Sequence, residues 1–165
     1  AAAVSATRNG KIGVIGTYAT VESQAYDRAI RALDPALTPI KTACPLFVPL
    51  VEEGLTSGEI TDRVVAYYLS GMKAGDVDTL LLGCTHYPLI ANNINRIYPY
   101  LKLYNSSAEV IREVVTILTE KDLLAGENDF PDRFYASDLS ENFLRMTNTL
   151  FEGYDTKIKL KKLDD

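Results

Sequence analysis

Asp78-Thr79-Leu80-Leu81-Leu82-Gly83-Cys84-Thr85-His86-Tyr87-Pro88-Leu89 reads as a strand, a loop and a helix start in direct succession. The run up to Gly83 is apolar without alternation, as expected of a strand buried on both faces of a parallel sheet. Pro88 suits the first turn of a helix, where its missing N–H costs nothing, and the helix is expected over 89–97. Upstream, Ile12-Gly13-Val14-Ile15-Gly16 repeats the pattern: a short apolar run closing on glycine, then the loop Thr17-Tyr18-Ala19-Thr20.

The same punctuation continues along the chain. A helix is predicted over 21–33, stopped by Asp34-Pro35, and a strand over 39–43. Residues 45–54 form an apolar loop with one helical turn. A helix over 59–74 carries Ile60, Val64, Tyr67, Tyr68 and Met72 at helical spacing. A strand at 101–104 precedes a helix over 108–121, capped by Ser106 or Ser107. Residues 127–131 are a loop rich in breakers, followed by strand, helix and strand at 133–137, 140–151 and 156–163. Strand and helix alternate throughout, so the fold class is α/β, a three-layer sandwich around a mainly parallel sheet. Such sheets bind ligands at the carboxyl ends of their strands. Two loops qualify by position, one after Gly16 and one after Gly83.

Composition narrows the partners. The 17 basic and 22 acidic residues leave a net charge of −5, which argues against nucleic acid or an anionic membrane as a partner. The one basic cluster, Lys157, Lys159, Lys161 and Lys162, alternates with Ile158, Leu160 and Leu163 and reads as an edge strand with its lysines outward. No apolar run approaches the ~20 residues of a membrane span, and the start shows no signal-peptide pattern. Ala1-Ala2-Ala3-Val4-Ser5-Ala6-Thr7 reads instead as the tail of a helix. Cys44 and Cys84 are the only cysteines, without metal-ligand spacing, which fits a reduced cytoplasmic setting and no bound metal.

Chemistry concentrates in the second loop. Cys84 lies where a buried strand meets a helix start, a place where amide N–H groups and the helix dipole favour a thiolate. His86, the single histidine, stands two residues on and can orient the thiol or exchange a proton with it. The plainer readings are a packed small hydrophobe for Cys84 and a capping residue for His86. A Cys-His hydrolase would show the same pair, so the pair alone names no reaction.

Leu81-Leu82-Gly83-Cys84-Thr85-His86-Tyr87-Pro88-Leu89 resembles a signature of the glutamate racemases within the aspartate/glutamate racemase superfamily. Asn9-Gly10-Lys11-Ile12-Gly13-Val14-Ile15-Gly16-Thr17 with Thr20 resembles the family's strand and substrate loop. Ala43-Cys44-Pro45-Leu46-Phe47-Val48-Pro49-Leu50-Val51-Glu52-Glu53-Gly54 resembles its central loop. The likeness is clear to about Ala108 and then weakens. His86 points to the glutamate rather than the aspartate subclass, where an acidic residue is usual.

The resemblance implies a cofactor-independent isomerase that interconverts L- and D-glutamate, supplying D-glutamate for peptidoglycan, cell wall and cell shape, in the cytoplasm and commonly as a homodimer. One thiol removes the α-proton and another delivers a proton to the opposite face. A thiol suits both tasks, since its ordinary pKa of ~8.5 lies near neutrality. By residue matching Cys84 is one of the two, His86 its helper, and Thr17, Thr20 and Thr85 hold the substrate. Glu52, preferred to Glu53, tunes the pair or orients the substrate ammonium. Cys44 falls in the central loop and is expected to be a packed structural thiol. Plainer readings remain for the threonines, as helix caps and turn residues, and for the two glutamates, as solvated residues at a helix start.

The family's opening Asp-Ser-Gly-x-Gly-Gly and Cys-Asn-Thr segments do not occur in these 165 residues. The expectation is therefore one complete lobe over 10–105, an inter-lobe helix end over 1–9, and a segment over 106–165 that completes the other lobe. Val110, Ile111, Val114, Val115, Ile117 and Leu118 then form an apolar surface that needs covering. The chain by itself is expected to be inactive. A lobe that binds acidic amino acids or a partner without turnover is the alternative.

Overall fold

The computed structural model describes residues 1–126, 132–154 and 157–162. After a short helix α1 (Ala2–Ala6), the strand β1 (Ile12–Gly16) is buried along its whole length. Helices α2 (Tyr18–Glu22) and α3 (Ala25–Leu33) lead to β2 (Ile40–Ala43). Helices α4 (Phe47–Glu52) and α5 (Glu59–Ala74) lead to β3 (Thr79–Leu82). A 3-10 turn (Tyr87–Ile90) running into α6 (Ala91–Ile97) leads to β4 (Lys102–Asn105). The four strands form one parallel sheet in the order β2-β1-β3-β4. Then come α7 (Ser106–Glu120), β5 (Phe134–Ala136), α8 (Glu141–Leu150) and β6 (Ile158–Leu160), with β5 and β6 pairing in parallel as a second sheet.

The register sets Val14 beside Leu81 and Ile15 beside Leu82, so successive residues supply opposite faces. Ile15, Leu80 and Leu82 enter the main core with Phe47, Val51, Val65, Leu69 and Ile94 from α4, α5 and α6. Ile12 and Val14 pack on the other face with Ile30 of α3 and, at its margin, Val4 and Tyr26. Helices on both faces make the three layers of the α/β class.

Several expected elements come out differently. The helix expected over 21–33 is two, separated at Gln24 with φ +53°. Ser23 divides them: its hydroxyl donates to the Thr20 carbonyl at 2.8 Å and accepts from the Ala25 N–H at 3.3 Å, competing with the helix ladder. On α5 the buried stripe is Thr61, Val65, Leu69 and Met72. Ile60 and Tyr67, at 60% and 73% exposure, face out. Thr61 takes a core position because its hydroxyl donates to the Leu55 carbonyl at 2.8 Å, which removes the cost of burying it. The cap of α7 is Asn105, which accepts from the Ser107 N–H at 2.9 Å, while the Ser106 hydroxyl donates to the Leu82 carbonyl at 3.0 Å. The loop at 127–131 and the end of the final strand at Leu163 lie outside the described residues.

Candidate active site

The connection from β1 leads outward to β2, and that from β3 leads the opposite way to β4. Strands whose connections diverge leave a crevice between their carboxyl ends. In this sheet the crevice lies between the loop after Gly16 and the loop after Leu82.

Two glycines and a threonine shape its floor. A Cβ on Gly16 would lie 2.7 Å from Thr20 Cγ2, and one on Gly83 would lie 3.4 Å from that same methyl. The methyl of Thr20 therefore seats against both strand ends, and its hydroxyl lies 3.0 Å from the Thr17 hydroxyl. Thr17 also caps α2 by accepting from the Thr20 N–H at 3.3 Å. Both threonines are partly exposed at the crevice, so the capping role and availability to a ligand coexist.

Cys84 is half-buried and packs at the margin of the main core. Its sulfur lies 3.9 Å from His86 Nδ1, and the exposed Thr85 hydroxyl lies 3.4 Å from the same nitrogen. On the other side of the ring, His86 Nε2 stands 3.5 Å from Glu52 Oε1. That is ion-pair range but outside hydrogen-bond geometry, and among the described residues Nε2 has no hydrogen-bond partner. Cys84, His86 and Glu52 thus lie in a line, with Thr85 beside it and Thr17 and Thr20 across the crevice floor. Glu53, the neighbour weighed against Glu52, accepts a hydrogen bond from Asn142 at 3.1 Å instead. The loop after Cys84 enters a 3-10 turn before α6, so the imidazole, rather than a long helix axis, is the polar neighbour of the sulfur.

Cys44 is a different thiol. It is fully buried, donates weakly to the Thr42 carbonyl at 3.6 Å, and burial pushes its pKa up to about 12. Its backbone is held as well: its N–H donates to Gly16 at 2.8 Å, and its carbonyl accepts from the buried Tyr87 hydroxyl at 2.9 Å. Phe47 meets the Tyr87 ring edge-on at 5.1 Å, which joins the start of α4 to the loop bearing Cys84. Tyr26, which no local signal singles out, presses on Gly83: a Cβ there would lie 3.0 Å from its ring. Among the described residues no group of three or more His, Cys, Asp or Glu could hold a metal ion, and no helix is long and apolar enough to cross a membrane.

Comparison with known proteins places the chain in a family. The profile of the Asp/Glu/Hydantoin racemases matches residues 1–114. The chain belongs to this racemase family. Its relatives within the family include the glutamate racemase of Geobacter metallireducens, 42% identical over 153 residues that cover 92% of this chain and 57% of the relative. That of Neisseria meningitidis serogroup B is 43% identical over 143 residues, covering 86% and 53%. Among solved structures, the glutamate racemase of Francisella tularensis in complex with D-glutamate superposes with a TM-score of 0.88 at 33% identity, covering 99% of this chain and 62% of that one. A glutamate racemase isoform of Bacillus anthracis gives 0.89 at 33% identity, covering 98% and 61%. This family member therefore spans less than two thirds of the length of each of these racemases.

Proposed function

We propose that this chain contributes one thiol face of a glutamate racemase, interconverting L- and D-glutamate by proton transfer at the α-carbon. The observation that carries the reading is the line of three groups in the crevice: Cys84 sulfur 3.9 Å from His86 Nδ1, and His86 Nε2 3.5 Å from Glu52. Names of relatives support glutamate as the substrate, and one related structure holds D-glutamate.

The chemistry follows from that line. In the imidazole tautomer with its proton on Nε2, toward the Glu52 carboxylate, Nδ1 is free to accept the Cys84 thiol proton and leave the thiolate. The Cys84 thiolate takes the α-proton of glutamate, the C–H electron pair passes to the α-carbon, and the adjacent carboxyl group delocalises it. A second thiol on the opposite face gives its proton to that carbon, so configuration inverts with no net change in protons. The reverse reaction exchanges the roles of the two sulfurs. The hydroxyls of Thr17, Thr20 and Thr85 border the crevice and are assigned to the substrate carboxylates. No step calls for a cofactor. A Cys-His-carboxylate line also serves thiol hydrolases, and racemase family membership favours proton transfer. The same reading carries a cytoplasmic, homodimeric enzyme that supplies D-glutamate to peptidoglycan.

The test is solvent-deuterium incorporation at the glutamate α-carbon by the protein in which this chain acts. Exchange is expected, and Cys84→Ser is expected to abolish it. Glutamate binding without exchange, or exchange that survives Cys84→Ser, overturns the reading. With Cys44 sealed in the core, the 165-residue chain by itself has one usable thiol and is expected to give no net racemisation.

A further inference from the structure

The two adjacent glutamates at the end of α4 diverge: Glu52 faces His86 Nε2, and Glu53 reaches away from the crevice to α8. The Asn142 side-chain amide donates to Glu53 Oε1 at 3.1 Å, and its own oxygen accepts from Arg145 Nη2 at 2.8 Å. The arginine therefore fixes which end of the amide points at α4. Four residues along the same face of α8, Met146 packs against the main core.

The core side also holds α4. Phe47 and Val51 bury their side chains in the core. Directly after Glu53, Gly54 turns the chain at φ +75°, with open space where a Cβ would stand. Between α4, Leu89 and α8 lies a cavity of about 150 Å³, bordered by Val51, Glu52, Gly54, Met146 and Leu150. Close packing is thus incomplete on the α8 side of Glu52, and on that side Asn142 contacts α4 while Met146 packs against the core.

We propose that α8 is a positioning element for the site: Asn142 and Met146 hold the end of α4 so that Glu52 stays within reach of His86. The proposal rests on the reading of Cys84, His86 and Glu52 given above, and it adds that the segment after β4 sets their geometry from outside the crevice. Neither residue touches the reacting atoms.

The test uses the 165-residue chain. His86 is its single histidine, so one pair of imidazole nitrogen resonances reports the ring without ambiguity. Iodoacetamide reports Cys84, with Cys44 buried and peptide mapping to separate the two. Glu52→Gln is expected to slow Cys84 alkylation and shift both His86 nitrogen resonances. Asn142→Leu and Met146→Ala are expected to move both readouts in the same direction, the rate by about threefold, the scale of one lost polar contact. The double variant of Glu52→Gln with Asn142→Leu is expected to be no slower than Glu52→Gln alone, because both act through one contact. Glu53→Gln keeps a carbonyl acceptor for Asn142 and is expected to match the wild-type rate, as is the remote Arg63→Ala. Asn142 is only partly buried, so its replacement is expected to leave folding intact, which the thermal midpoint checks. Wild-type rate and resonances in Asn142→Leu, or a loss that adds in full to that of Glu52→Gln, overturn the proposal. If Glu52→Gln itself changes neither readout, the Glu52–His86 contact is inert and the proposal falls with it. The α-carbon exchange assay, which reads Cys84 directly, is decided independently of that result.

Discussion

At Gly83 a single added carbon would stand 2.8 Å from the carbonyl oxygen of Ile15 and 3.0 Å from the Tyr26 ring. That carbonyl is already engaged, accepting from the Gly83 N–H at 2.8 Å, and it belongs to the fully buried β1. It cannot retreat, so a side chain at 83 must displace the loop that bears Cys84. Gly83→Ala is therefore expected to cost on the order of 1–3 kcal/mol, the range for overpacking a filled site, read as a lower midpoint in thermal unfolding. In the α-carbon exchange assay its deficit should exceed what the lost stability explains, because the displaced residue is the neighbour of the reactive thiol. Normal exchange with normal stability would mean that the loop accommodates the methyl and that the glycine is not what seats Cys84.

At the scale of elements, α5 and α6 are joined through one carboxylate. Asp62 accepts from Asn93 at 2.9 Å and pairs with Arg96. Those two hydrogen bonds, Asn93's foremost, hold its pKa below the ordinary 3.8. The folded state thus favours the ionised form, so the stabilisation is fully present above pH 3.8 and fades as pH falls below it through the depressed folded value. Asp62→Asn is expected to lower the thermal midpoint at neutral pH, with the gap from wild type closing as acid titrates the wild-type carboxylate. A gap that stays constant on acidification would assign the loss to altered packing instead. How much of this was legible depends on where each partner lies. The two central strands of the main sheet, β1 and β3, are largely apolar runs closed by or followed by glycine, and their reading needs no tertiary knowledge. The bounds of α5 are equally local, but its buried face is not: Thr61 turns inward because a loop carbonyl at Leu55 satisfies it, and no periodicity contains that bond. Cys84, Thr85 and His86 are contiguous and declare themselves as a group. Glu52 comes to His86 across 34 residues (86 − 52) and entered through family resemblance. Tyr26 and Asn142 act only through neighbours brought by folding, so nothing in the sequence around them marks them out.

For the whole molecule, the distribution of apolar surface is as informative as the sheet. The main sheet is covered on both faces, yet α7 buries none of its residues. Val110 and Ile111 are 60% and 62% exposed, and Val114 and Val115 lie beside them, also exposed. A 15-residue helix gains little stability from backbone hydrogen bonds alone and ordinarily draws on a packed face. Its start is anchored by the Asn105 cap and by the Ser106 hydroxyl on the Leu82 carbonyl. Exposed aliphatic side chains grouped on one helix should bind a hydrophobic dye, so the folded 165-residue chain is expected to enhance the fluorescence of anilinonaphthalene sulfonate. Replacing Ile111 and Val114 together by lysine should remove most of that enhancement. The thermal midpoint should move little, because neither side chain contributes to the core and surface substitutions are usually within about 0.5 kcal/mol of neutral. The two readouts separate the possibilities. Lost dye binding with an unchanged midpoint is what an uncovered face gives. An unchanged dye signal with a large fall in the midpoint would mean that those residues are packed in solution, and that α7 has found a cover within the chain or in a second copy of it.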